Sequence, residues 1–307
     1  MSADIPFARQ YKSPPFNPPK DAETFKDIQY SSAGHERQKL DLYLPSPRPE
    51  KPTPVVVYIH GKPAPRGAFK FGSKESPLLP SRLTKKGYAI ASVGHRLSGD
   101  AIFPSSVEDL KSAIRWLRAH AAEYNLDPDR FVAFGESAGG HHASMLGVTS
   151  PAGAGDEFDV GDHLDQSSAV QGAVPYYGPS DFLQEDAHAI QDGGSLKHDP
   201  AGSPEALYVG ADEGLQASPE KVARANPINY LSAGKKVPPF FIAHGVQDHV
   251  VPFHQSVLLH EALEKHGVPV TFHPVEGADH IFLGATKEQE EELNRKTDEF
   301  LASVFGS

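Results

Sequence analysis

The stretch Arg130-Phe131-Val132-Ala133-Phe134-Gly135-Glu136-Ser137-Ala138-Gly139-Gly140 constrains this chain most. The apolar run 131–134 has the pattern of a short buried strand. A G-x-S-x-G pentapeptide follows at once, and residues 141–147 can open a helix. Strand, sharp turn with serine at its apex, then helix is the setting in which that serine stands free above a sheet edge as a nucleophile. Such a turn is strained and needs small flanking residues, which Gly135, Ala138 and Gly139 supply. The backbone N–H of Ala138 then points into the space where a developing oxyanion would sit. The plainer reading is a Gly/Ser turn closing a buried strand. The strand before and the small residues after favour the nucleophile.

Composition closes off several alternatives. The chain has 307 residues, a formal net charge of −11 and no cysteine. No basic cluster stands out, so nucleic acid is disfavoured as a partner. Without cysteine there is no disulfide and no thiolate metal site. No apolar run approaches the ~20 residues that span a membrane. Residues 1–20 lack a signal-peptide pattern, which sets the expectation of a cytoplasmic protein, monomer or homodimer.

Five prolines among polar residues mark the N-terminus, so residues 1–24 read as an extended or disordered arm. The remainder, 25–307, reads as one domain. Residues 25–30 and 38–44 alternate polar and apolar side chains about a glycine-containing turn, a hairpin signal. Residues 55–59 are a continuous β-branched and aromatic run, and 88–93, 169–177, 240–243 and 268–275 repeat the theme. Helical stretches lie between them. The clearest is 105–124, with Val107, Leu110, Ile114, Leu117 and Ala121 on one stripe and a Ser105/Glu108 capping box. Others are 257–266 and 286–304. Strands alternating with helices predict an α/β fold with a mainly parallel central sheet, an antiparallel N-terminal hairpin and helices on both faces. Insertions at 151–168 and 181–229 lack periodicity and read as a loop-rich cap over the site.

A serine hydroxyl needs a base, usually a histidine held by a carboxylate. In this arrangement the chain order is serine, acid, histidine. Asp248 closes the loop after strand 240–243, and His280 follows strand 268–275. Both fall at the strand edge that carries Ser137. Asp279 adjoins His280, but sequence neighbours on a tight loop rarely face each other, so Asp248 is preferred. Among 16 histidines, His141 and His142 read as packed or substrate-lining, and His249 with His254 as a remote metal-pair alternative. Glu136 reads either as an ion-pair anchor behind the turn or as a solvent-facing acid.

The motifs Tyr58-Ile59-His60-Gly61, His95-Arg96-Leu97-Ser98, Phe103-Pro104, Arg115-Trp116-Leu117-Arg118-Ala119, Gly135–His141, Tyr177-Gly178-Pro179-Ser180-Asp181, Ala225-Asn226-Pro227, His244-Gly245 with Asp248 and Val251-Pro252, and Glu276-Gly277 with His280 together carry a resemblance. From about Phe25 onward the chain resembles α/β-hydrolase serine esterases, the branch of hormone-sensitive-lipase-like carboxylesterases and acetyl xylan and feruloyl esterases. The resemblance implies Ser137 as nucleophile, Asp248 as orienter, His280 as base, and no metal or organic cofactor. It departs at one place. The family's His-Gly-Gly-Gly oxyanion loop is here His60-Gly61-Lys62-Pro63, and Pro63 has no N–H to donate. With an insertion, Gly67-Ala68-Phe69 takes that role; otherwise Gly61 or Lys62 acts with Ala138.

The resulting expectation is a serine carboxylic-ester hydrolase acting through an acyl-enzyme on a small-molecule ester with a short acyl group, such as an acetylated or feruloylated carbohydrate. Expected pocket residues are Phe69, Phe71, His141, Tyr177, Phe253 and Ile281. The rivals are an amidase or formamidase with the same triad, and a non-catalytic ligand-binding relative.

Overall fold

The computed structural model describes residues 22–61, 79–149 and 157–306. Lys62, Phe69 and Phe71, together with nearly all of the expected arm, lie outside these residues. In chain order the elements are β1 (Ala22–Gln29), β2 (Lys39–Pro45), β3 (Thr53–Ile59), α1 (Leu79–Lys85), β4 (Ala89–Val93), α2 (Ser105–Ala119), α3 (Ala121–Tyr124), β5 (Leu126–Glu136), α4 (Ala138–Thr149), β6 (Gly172–Tyr176), α5 (Glu185–Gln191), α6 (Pro204–Val209), α7 (Pro219–Ala225), β7 (Phe240–Gly245), α8 (His254–Lys265), β8 (Val270–Val275) and α9 (Lys287–Phe305).

Eight strands form one sheet in the order β1-β2-β4-β3-β5-β6-β7-β8. β1 pairs antiparallel with β2, and β2 antiparallel with β4; the other pairings are parallel. This is the α/β-hydrolase arrangement. Alternation along β3 explains the layering. Val55, Val57 and Ile59 face a core with Leu110, Ile114 and Leu117 of α2. Val56 and Tyr58 face the opposite core with Leu83 of α1 and Leu293, Leu301 and Phe305 of α9. Both faces are therefore helix-covered, which is why β3 reads as an unbroken apolar run. α9 starts at a Thr286/Gln289 capping box and ends at left-handed Gly306.

Several expectations change. β1 begins at Ala22, inside the stretch expected as an arm. The expected helix 105–124 breaks at His120, whose N–H bonds back to Trp116 O, and Asn125 in the left-handed region ends α3. The Ser105/Glu108 capping box does not form, because the helix is capped at Pro104 and the Ser105 hydroxyl bonds Ala101 O. Segment 181–229 is more regular than expected, with the short helices α5, α6 and α7 joined by the irregular stretches 192–203 and 210–218. The segment's apolar residues Phe182, Ala206, Val209, Leu215 and Val222 share a small core with Phe103, Val107, Met145 and Phe158. Residues 159–168, expected in the cap, lie along α2. Arg115 holds Asp159, Val160 O and Asp162 O, while Arg118 holds Ser167 O and Ala169 O. Two arginines on a helix satisfy the backbone of an irregular segment, which must find partners when buried.

Candidate active site

The chain turns abruptly between β5 and α4, and Ser137 at the apex has φ of 56°. That is the left-handed region, unusual for a non-glycine residue and typical of a strained functional turn. The turn closes only because its flanks lack side chains. A Cβ on Gly135 would sit 1.9 Å from Gly139 O, and one on Gly139 would sit 2.1 Å from Ile59 O. Behind the turn, Glu136 is buried and its carboxylate accepts a hydrogen bond from Tyr58 Oη at 3.0 Å. Glu136 is thus an inward-facing acid held by a phenol, not a solvent-facing one.

The loops after β7 and β8 bring the other two groups to the serine. His280 Nε2 lies 3.1 Å from Ser137 Oγ, and its Nδ1 lies 2.7 Å from Asp248 Oδ2. With a carboxylate facing Nδ1, that nitrogen carries the hydrogen and Nε2 is left to accept the serine proton. The two loops touch at Gly245, where a Cβ would meet Ala278 O at 2.4 Å. Asp279 takes a different partner. It accepts from the His249 backbone N–H and faces His249 Nδ1 at 3.1 Å. His254 instead pairs with Asp192, so His249 and His254 do not form a pair.

Asp248 is fixed by four donors. Its Oδ1 accepts from the Val250 and Val251 N–H groups at 2.8 and 2.9 Å. Its Oδ2 faces His280 and also His244 Nε2 at 3.0 Å. His244 Nε2 lies equally close to Val251 O, so this nitrogen carries a hydrogen, and Nδ1 accepts from Ser256 Oγ at 2.7 Å. Burial by itself raises the Asp248 carboxyl. The facing His280 and the hydrogen bonds from His244 and His280 outweigh it and hold the group well below the usual carboxylate range. Sequence reasoning quoted His244 within a motif and gave it no role. A histidine at a strand end, four residues before the acid, was the signal available.

The expected pocket residues divide. Tyr177 is 1% exposed, with its ring 4.9 Å from that of His280. His141 is 2% exposed, bonded to Pro179 O and packed on Phe182. Neither presents surface to a substrate; each packs behind the site because its neighbours enclose it. Phe253 is half-buried on His244 and Phe272. Ile281 is half-buried beside His280 and, with Phe282, has positive φ (58° and 56°). A β-branched residue there is strained, so the surroundings hold the His280 loop firmly in place. Gly61 lies against the turn, where a Cβ would be 3.0 Å from Ser137 Cβ. Ala138 opens α4, whose first-turn N–H groups have no intrahelical acceptor and mark the positive end of the helix.

Four imidazoles form a row beside the turn. His60 stacks on His95 with centroids 4.8 Å apart, His95 lies 4.9 Å from His142, and His142 lies 5.6 Å from His141. His142 Nδ1 donates to Ala138 O and Nε2 accepts from Ser106 Oγ, so its neutral form is fully used. Burial, then the neighbouring histidine, pushes His141 down to about 3; burial chiefly pushes His142 down to about 4, and His95 falls in the same direction. These groups stay neutral in the fold but protonate near pH 6.5 when unfolded. Their contribution to stability is complete above that pH and is lost as pH falls toward 4. The expected slope is about 1.4 kcal/mol per pH unit for each such histidine. Urea unfolding between pH 7 and 4.5 should show His142→Gln with a slope shallower by about that amount. An unchanged slope would refute the neutral assignment.

Comparison with known proteins agrees with this architecture. The BD-FAE family model matches residues 40–263. Esterase LipQ of Mycobacterium tuberculosis is 30% identical over 287 residues, covering 91% of this chain and 62% of LipQ. The chain thus spans about three fifths of that relative's length. Among solved structures, a truncated carbohydrate esterase from gut microbiota superposes with a TM-score of 0.76 at 28% identity, covering 94% of this chain and 99% of that one. Est2 of the planctomycete Thermogutta terrifontis superposes with a TM-score of 0.66 at 27% identity, covering 94% of each chain, and has also been solved with butyrate and with propionate bound. With 40–263 matched on one continuous α/β-hydrolase sheet, the chain belongs to the BD-FAE family.

Proposed function

We propose that the protein is a serine carboxylic-ester hydrolase working through an acyl-enzyme on short-chain acyl esters. The unbroken path Ser137 Oγ–His280 Nε2, His280 Nδ1–Asp248 Oδ2 carries this reading. Ser137 Oγ attacks the ester carbonyl carbon while His280 Nε2 takes the hydroxyl proton. The carbonyl oxygen becomes an oxyanion, held by the Ala138 N–H with Gly61 or Lys62 as the second donor. Asp248 stabilises the imidazolium. The tetrahedral species collapses, the C–O bond to the alcohol breaks, and His280 returns its proton to the leaving oxygen. Water then repeats the sequence on the acyl-enzyme and frees the acid.

The carboxylates bound in Est2 and the esterase names of the relatives support a short acyl group, and the gut carbohydrate esterase supports a sugar alcohol. Hydrolysis of p-nitrophenyl acetate, butyrate and octanoate tests this. Turnover per active site, counted with a serine-reactive phosphonate, should fall by more than about tenfold from butyrate to octanoate. An equally good octanoate, or an N-formyl amide hydrolysed faster than the matching ester, would overturn the reading.

A further inference from the structure

The α5–α6 region holds a second polar cluster, separate from the triad. Glu185 opens α5, Glu205 lies in the first turn of α6, and His198 lies on the segment between them. Each offers a ligand atom, and those atoms all lie within 4.8 Å of one another. Glu185 and His198 are 0% and 2% exposed. Among the described residues, no hydrogen-bond donor reaches either oxygen of Glu185 or Oε2 of Glu205, and His198 Nε2 has no partner. Buried carboxylates ordinarily find several donors, so two of them facing one imidazole is an unbalanced arrangement.

The spacing says what is missing. His198 Nδ1 stands 3.4 Å from Glu205 Oε1 and 3.7 Å from Glu185 Oε1, too far for good hydrogen bonds. Ligands about 2.1 Å from a tetrahedral zinc ion stand about 3.4 Å apart. We propose that Glu185, His198 and Glu205 bind one divalent transition-metal ion of the zinc type, which ties α5, the segment before α6 and α6 together.

Three further observations support this. The imidazole disfavours calcium and magnesium, which prefer all-oxygen shells. The His198 backbone is pinned independently, its N–H donating to Asp186 Oδ1 at 2.6 Å, so the ring is positioned without the ion. The Glu205 side chain is 15% exposed and gives the ion a way in from solvent, with water completing the shell. The structural consequence reaches α8, because α5 meets it through Asp192–His254 and His188–Gln255.

The test uses the full chain stripped with a chelator, then titrated with zinc alone against a chromogenic competitor. A Ser137→Ala background tells whether zinc also reaches the triad. We expect one tight equivalent per chain and a rise in Tm. Glu205→Gln, a partly exposed and isosteric change, should weaken binding by about 100-fold or more and abolish the rise. His198→Gln should do the same. Equal binding by wild type and both variants would assign the zinc to surface histidines and overturn the proposal. Absence of tight zinc binding by the wild type would overturn it as well.

Discussion

Replacing Ser137 by alanine is expected to lower turnover of a good ester about a million-fold, close to 8 kcal/mol of transition-state stabilisation. The change is local. Alanine keeps the Cβ that the turn already accommodates at φ 56°, and only the hydroxyl 3.1 Å from His280 Nε2 is lost. Substrate binding and any electrostatic help from the α4 terminus remain, so KM should move far less than kcat. Triad members act as a unit, so a Ser137→Ala/His280→Ala protein should be hardly slower than the single variant. Single-turnover measurements with an activated ester check both statements. Turnover within tenfold of wild type in the Ser137→Ala protein would remove the nucleophile assignment.

Asp248→Asn should cost about ten-thousand-fold in kcat, and the structure says why. Oδ1 is held by two backbone donors, Val250 N–H and Val251 N–H. An amide placed here must turn its oxygen toward those donors and its NH2 toward His280 and His244. The NH2 then donates to His280 Nδ1 and forces the ring hydrogen onto Nε2, against the serine hydroxyl. The base is present, correctly placed, and in the wrong tautomer. The loss should shrink at high pH, where hydroxide can take the serine proton, while Ser137→Ala gains nothing there. A pH profile of kcat/KM for the two variants separates these behaviours, and parallel profiles would contradict the tautomer argument.

Much of this was legible in the sequence because the decisive signals are local. The small residues around Ser137, the apolar run of β3 and the chain order of serine, acid and base all follow from steric or chemical need at adjacent positions. What stayed hidden depends on contacts across the chain. Arg115 and Arg118 stand in the sequence only as members of a motif, yet they clasp residues 159–169. α5, α6 and α7 have six or seven residues each, too few for helical periodicity to show. His244 looked like one histidine among many until Asp248 and Ser256 were seen on either side of it. Tyr177 and His141 carried the right chemistry for a pocket, but enclosure by Phe282 and Phe182 is not written locally.

The strand order has a kinetic consequence. Ser137 follows β5, Asp248 follows β7 and His280 follows β8, with β6 and β7 intervening in the sheet. His280 meets Ser137 across 143 residues of chain. Closing so long a loop is entropically costly until the intervening strands have paired. On the proposed mechanism, a folding chain is expected to form the serine turn, built by β3, β5, α4 and the end of β6, before His280 reaches it. The same mechanism implies that a molecule with β8 undocked holds Ser137 without its base, so that reactivity marks completion of the sheet.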